Sequence, residues 1–272
     1  MARAIKEDIS LKERGPQVCV LKTDGINCDE ETVNAFSVAG GRTKTVHINE
    51  LRANEDNLNN YQILALPGGF SYGDDIASGK ILALELNSYL ADQIDDFVNG
   101  KKGLVLGVCN GFQVLVRSGL LPFGTMGEMK ATLTNNDSGH FECRWIDLRI
   151  EDDNACVFLE GMNGVMSYQV AHGEGKFFAE GQVLDQIERE KLVVLRYSDP
   201  LGNPTQQYPE NPNGSLNAIA GITDFSGRIL GLMPHPERFI RLTQHPNWRR
   251  MPNLEPQGLP IFERMVNYAS QM

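Results

Sequence analysis

Residues 101–120 read KKGLVLGVCNGFQVLVRSGL, and this stretch decides the fold. Leu104–Val108 is a short apolar run of the kind found in a strand buried on both faces. Gly107, Val108, Cys109, Asn110 and Gly111 then form the pattern G-x-C-x-G, and a helical pattern follows at once. A strand that runs into a helix through so tight a turn is half of a β-α-β unit. The pattern is the thiol version of a nucleophile elbow, in which small neighbours are needed because the turn is strained and other chain segments approach closely. A sulfur at a helix N-terminus also gains thiolate character from the aligned backbone dipoles. A buried structural cysteine is the plain alternative, and the elbow alone leaves both open.

Working outward, further apolar runs at residues 18–21, 63–66, 193–195 and 229–233 read as strands of the same parallel sheet. Between them lie helical patterns. One starts after Asn27, with Asn27 as the expected cap and Glu30 reaching back, and ends at Gly40-Gly41. Another spans residues 78–98 and stops at Gly100, with Asp74 and Asp75 expected to cap it. Such alternation predicts an α/β fold, a mostly parallel sheet flanked by helices. Residues 141–150 instead alternate, with Phe141, Cys143, Trp145 and Leu148 among charged residues, and read as a half-exposed antiparallel strand in a small insertion. Residues 198–215 and 244–260 are rich in Pro, Asn and Gly and read as ordered loops, before a last helix over 261–269.

With 272 residues, 41% hydrophobic and 22% charged, the chain fits a single domain over residues 17–272 behind an N-terminal extension, 1–16. A net charge of −10 argues against a nucleic-acid partner, whose phosphates call for concentrated Lys and Arg. No apolar run approaches the roughly 20 residues that span a bilayer, and MARAIKEDISLKERGP lacks the apolar segment of a secretory signal, so a cytoplasmic protein without membrane contact is expected. The five cysteines, Cys19, Cys28, Cys109, Cys143 and Cys156, show no C-x-x-C pair and no zinc-ligand spacing with histidine. No metal is expected. All but a reactive one should behave as small buried hydrophobes.

Two further loops bear on Cys109. Pro67-Gly68-Gly69-Phe70-Ser71-Tyr72-Gly73 follows a strand and can present amides to a developing oxyanion, Gly69 pairing with the Asn110 amide. Pro234-His235-Pro236-Glu237-Arg238 follows the run at 229–233, on the side where open α/β sheets collect their sites. His235 is the candidate base, and Glu237 the acceptor that fixes its tautomer, two residues on and on the same face of an extended chain. Taken singly, a P-G-G turn and an H-x-E pair are common.

In combination, the elbow, the P-G-G-F loop and the terminal H-P-E resemble the class I glutamine amidotransferases. The longer stretches PGGFSYGDDIASG, GVCNGFQVL, AHGEGKF, NPNGS followed by IAGI, and MPHPERF are similar to one branch of them, the glutaminase subunits of phosphoribosylformylglycinamidine synthases. The resemblance covers residues 17–239. It implies a flavodoxin-like fold and a Cys109-His235-Glu237 triad that hydrolyses L-glutamine through a thioester. Gly69 and Asn110 would form the oxyanion hole, and Gly68, Phe70, Gln113 and His172 would lie at the substrate. It further implies a synthetase subunit that receives the ammonia, with ATP and Mg on that partner and no cofactor in this chain, and a small accessory subunit. The absence of a G-x-x-x-x-G-K-[ST] loop agrees with nucleotide chemistry lying elsewhere. Three rivals are a different amidotransferase subunit, a related cysteine hydrolase lacking the H-x-E, and a silent module that has lost its nucleophile. Glu237 speaks against the second, and Cys109 with His235 against the third.

Overall fold

The computed structural model describes residues 15–272, so the extension expected over 1–16 lies, as far as residue 14, outside the described residues. In chain order the first half comprises β1 (Gln17–Lys22), α1 (Asp29–Val38), β2 (Arg42–His47), α2 (Ile48–Arg52), β3 (Ile63–Leu66), α3 (Lys80–Tyr89), α4 (Ala91–Asp95), β4 (Leu104–Val108) and α5 (Asn110–Ser118). The second half comprises β5 (Ala131–Thr134), β6 (Glu142–Ile150), β7 (Val165–His172), β8 (Lys176–Ala179), α6 (Gly181–Arg189), β9 (Val193–Ser198), β10 (Ile219–Thr223), β11 (Ile229–Leu232) and α7 (Leu259–Ala269).

Nine strands form one sheet in the order β2-β1-β3-β4-β11-β10-β9-β6-β7. The first five run parallel to one another. The remaining pairings are antiparallel, which makes a wing on one side of the parallel core. Strands β3, β4 and β11 are buried along their whole length, as their unbroken apolar sequences require. Helix α5 packs on their ends with Phe112, Val114, Leu115 and Val116 all fully buried. Phe36 of α1 meets Phe262 of α7 edge to face, with ring centroids 4.9 Å apart.

The architecture agrees with the α/β expectation, and several details correct it. Residues 193–195 belong to β9, which is antiparallel rather than part of the parallel core. The alternating segment is β6, but it joins the main sheet between β9 and β7; the small separate antiparallel sheet is β5 with β8. The inward side chains of β6 include Ile146, Leu148 and Ile150, whereas Cys143 and, just before the strand, Phe141 are exposed. The helix expected over 78–98 breaks at Leu90, where φ is −124°, into α3 and α4 and closes in a π turn over Asp96–Gly100.

Asn27 does not cap α1. The cap position is Cys28, and no side chain closes it. The far end of α1 follows expectation: Gly40 adopts φ +95°, its amide bonds the Ser37 carbonyl at 3.2 Å, and the Gly41 amide reaches back to Phe36 at 2.8 Å. That is a Schellman closure, which needs a residue without Cβ at the left-handed position. Neither Asp74 nor Asp75 occupies the cap position of α3, which is Gly79 and carries no side-chain cap. Among the described residues no helix is long and apolar enough to cross a membrane.

Candidate active site

The three sequence elements converge at the carboxyl ends of β3, β4 and β11, because these strands are neighbours and parallel. Cys109 follows β4 directly, with φ 52° and ψ −105°. A side chain held in so sparsely populated a conformation stores on the order of 1–3 kcal/mol of strain. Hydrogen bonds hold it there: its amide donates to the Leu232 carbonyl at 2.8 Å, and its carbonyl accepts from the Gln113 amide at 3.0 Å. Gly111 makes the turn sterically feasible. A Cβ there would stand 1.9 Å from the Leu66 carbonyl oxygen, so α5 could not approach β3 with any other residue.

Cys109 is 5% exposed, and its sulfur lies 3.7 Å from the Ala171 carbonyl near the end of β7. His235 and Glu237 are each 1% exposed. The imidazole Nδ1 and Glu237 Oε1 are 2.5 Å apart, so the ring carries a proton on Nδ1 and donates it to the carboxylate. The backbone of His235 is anchored as well, its amide donating to the Gln169 carbonyl of β7 at 2.8 Å. Burial opposes the imidazolium, but Glu237 and the Cys109 sulfur outweigh it, and the His235 pKa lies well above its ordinary value. Nε2 of His235 and Oε2 of Glu237 are buried with no hydrogen-bond partner among the described residues. A buried imidazole nitrogen without a partner is chemically able to accept or give a proton.

Gly68 sits between the groups. A Cβ on it would meet His235 Cε1 at 2.8 Å, the Cys28 sulfur at 3.1 Å and Cys109 Cβ at 3.4 Å. Gly69 has φ +143°, and a Cβ on it would stand 2.8 Å from the Asn27 amide nitrogen. Asn110 is the first residue of α5, so its amide has no carbonyl behind it in the helix. Its side chain accepts from the Ser71 amide at 3.4 Å and donates to Asp74 Oδ1 and Gln113 Oε1, both at 3.0 Å. The loop carrying Gly69 is thus tied to the helix carrying the second amide.

The other sequence candidates fall in two groups. Phe70 is 44% exposed and stacks on Phe141, with centroids 6.3 Å apart. With Asp74, Ser78, Gly173 and Glu174 these rings line a cavity of about 530 Å³. Gln113 and His172 are buried and engaged with protein. Gln113 Nε2 donates to the Glu174 carbonyl at 2.6 Å. The ring nitrogens of His172 face Asn136 Oδ1 at 3.2 Å and Asn213 Nδ2 at 3.4 Å. Burial, with repulsion from His235, pushes the His172 pKa down to about 3, which keeps it neutral.

Sequence reading missed Cys28 and Arg238. Arg238 donates from Nη2 to the Cys28 sulfur at 3.2 Å and from Nε to Glu31 Oε1 at 3.0 Å. The Cys28 thiol also bears on His235, and burial raises its pKa. Arg238 was visible within MPHPERF, but nothing local linked it to residue 28.

The CobB/CobQ-like glutamine amidotransferase domain family matches residues 15–269. The chain is 46% identical over 254 residues to a phosphoribosylformylglycinamidine synthase subunit PurQ of Dehalococcoides mccartyi, covering 93% of this chain and 97% of the relative. It is 41% identical over 267 residues to the PurQ subunit of Methanococcus maripaludis, with the same two coverages, 93% and 97%. Among solved structures, PurLQS from Thermotoga maritima contains a chain that superposes with a TM-score of 0.70 at 30% identity, covering 93% of this chain and 99% of that one. Both the local geometry and the length over which these similarities run place the chain in the glutamine amidotransferase family.

Proposed function

We propose that this chain is the glutaminase subunit of a phosphoribosylformylglycinamidine synthase, with Cys109 as nucleophile, His235 as base and acid, and Glu237 orienting the imidazole. The observation that carries the reading is the strained Cys109 at the end of β4, set against the buried His235-Glu237 pair at the end of β11. The Cys109 thiolate attacks the side-chain carbonyl carbon of glutamine, and the oxyanion that forms is met by the amides of Gly69 and Asn110. Protonated His235 then gives its proton to the departing ammonia, leaving a γ-glutamyl thioester. The neutral ring next takes a proton from water, which attacks the thioester, releases glutamate and restores the thiolate-imidazolium pair. Gly68 leaves room for the reacting carbonyl, and Phe70 forms a wall of the adjacent cavity. Gln113 and His172 act through the loops they brace rather than through free polar atoms.

The ammonia serves a synthetase subunit that uses ATP and Mg to make formylglycinamidine ribonucleotide, with a small accessory subunit in the assembly. Support comes from the relatives named PurQ and from the PurLQS structure. One experiment tests both halves: reconstitute the chain with its synthetase and measure product formation with glutamine or with ammonium chloride as nitrogen donor. Cys109→Ala should lower the glutamine-driven rate by at least about 10³-fold and leave the ammonium-driven rate intact. Retention of the glutamine-driven rate would remove Cys109 from the mechanism.

A further inference from the structure

The cluster behind His235 has the composition of a metal site. One ligand atom each from Cys28, Glu31, His235 and Glu237 falls within 4.8 Å of the others. Zn²⁺ bound by thiolate, imidazole and carboxylate at its usual bond lengths sets tetrahedral ligand atoms about 3.3–3.6 Å apart, so the cluster needs only a small contraction. The histidine is already prepared. Its Nδ1 is taken by Glu237 at 2.5 Å, the carboxylate backing that orients metal-binding imidazoles, and its Nε2 is buried without a partner. At present a cation of the protein's own stands between two of the ligands, Arg238 reaching both Glu31 and Cys28.

We propose that Cys28, Glu31 and His235 Nε2 form a binding site for a borderline-soft divalent cation such as Zn²⁺, and that its occupation switches the glutaminase off. The fourth position is open to water or to the Cys109 sulfur. Binding displaces the Arg238 guanidinium, whose side chain is 26% exposed, and releases two protons to bulk water, that of the Cys28 thiol and that on Nε2 of the His235 imidazolium. A metal on Nε2 occupies the lone pair that would hold the proton shared with the nucleophile. Inhibition, though not binding, rests on the reading of His235 as the base. Competition with Arg238 keeps the site weaker than a structural zinc site, so a chelator should restore activity.

The binding test uses the full chain with Cys109→Ala, titrated with Co²⁺ and followed by the thiolate-to-cobalt charge-transfer absorption in the near ultraviolet. With Cys109 gone, the band should persist, because Cys28 supplies the sulfur. Adding Cys28→Ser should abolish the band. Adding Glu31→Gln, a change on a half-exposed helix position, should weaken Zn²⁺ competition for the site at least tenfold. Adding Arg238→Gln should tighten it at least threefold. In the otherwise native chain, Zn²⁺ inhibition of glutamine hydrolysis should follow the same order. A band that disappears with Cys109→Ala alone, or Zn²⁺ affinities unmoved by Glu31→Gln and Arg238→Gln, would overturn the proposal whatever the fate of the glutaminase reading.

Discussion

Gly68→Ala tests the geometry of the site more sharply than removal of any reactive group. The backbone at Gly68 lies outside the left-handed region, so alanine is conformationally acceptable and the perturbation is one methyl group. That methyl would stand 2.8 Å from His235 Cε1. Carbon atoms in contact settle at about 3.5–4.0 Å, so the ring or the loop must give by roughly 0.7–1.2 Å. The ring has little freedom, since its Nδ1 is held by Glu237 and its backbone by Gln169. The displacement therefore falls on the spacing between His235 and Cys109. A misplacement of about 1 Å at reacting groups costs on the order of 10²-fold in rate, equivalent to about 2.7 kcal/mol of transition-state stabilisation. The overpacking itself should lower stability by about 1–3 kcal/mol. The assay is kcat/KM for glutamine hydrolysis, with thermal unfolding and the rate of Cys109 alkylation near neutral pH read on the same samples. A folded variant with kcat/KM within threefold of the parent and unchanged alkylation would refute the inference that Gly68 sets the nucleophile-base spacing.

Two other variants probe the histidines. Glu237→Gln keeps an acceptor for the His235 Nδ1 proton but removes the charge that opposes burial, so the His235 pKa should fall; the alkaline limb of the kcat/KM profile should move to lower pH with a loss of about 10²–10⁴-fold, and an unmoved limb would refute the electrostatic role. His172 has a folded pKa of about 3 against about 6.5 unfolded, so the stability it contributes is complete above pH ~6.5 and is lost as pH falls toward 3. The gap in unfolding free energy between the parent and His172→Gln should therefore narrow by about 2 kcal/mol from pH 7 to pH 5 in urea titrations, and parallel profiles would show that the buried ring is not held neutral.

What the sequence made legible was contiguous. Strands β3, β4 and β11 announce themselves as unbroken apolar runs, and the elbow, the P-G-G loop and the H-P-E each occupy a few adjacent residues at strand ends. Strand β2 escaped notice because it is the sheet edge: RTKTVH buries only Val46 fully and carries its charges outward. Strand β7, VMSYQVAH, alternates as a half-buried strand should, but its functional content is backbone, the carbonyls of Gln169 and Ala171, on which side-chain identity is silent. The Asn27 cap failed for a tertiary reason: the helix begins one residue later, where Cys28 is drawn toward Arg238 and the Gly68 carbonyl accepts its amide. Gln113 and His172 stand out within the family-like stretches, but the contacts they make are with Asn110, Asn136 and Asn213, partners that only the folded chain brings near.

The separations along the chain carry a consequence for the timing of biosynthesis. Cys109 meets the Ala171 carbonyl 62 residues downstream, and Cys28 meets Arg238 across 210 residues. Strand β4 cannot gain its neighbour β11 until residues 229–232 have been made. A ribosome working from the N-terminus therefore exposes the thiol long before it exposes the imidazole, and a chain that stalls or is clipped before residue 235 bears Cys109 without His235. Because slow, long-range pairing governs when such contacts form, Cys109 and His235 come together only after residue 235 has been made.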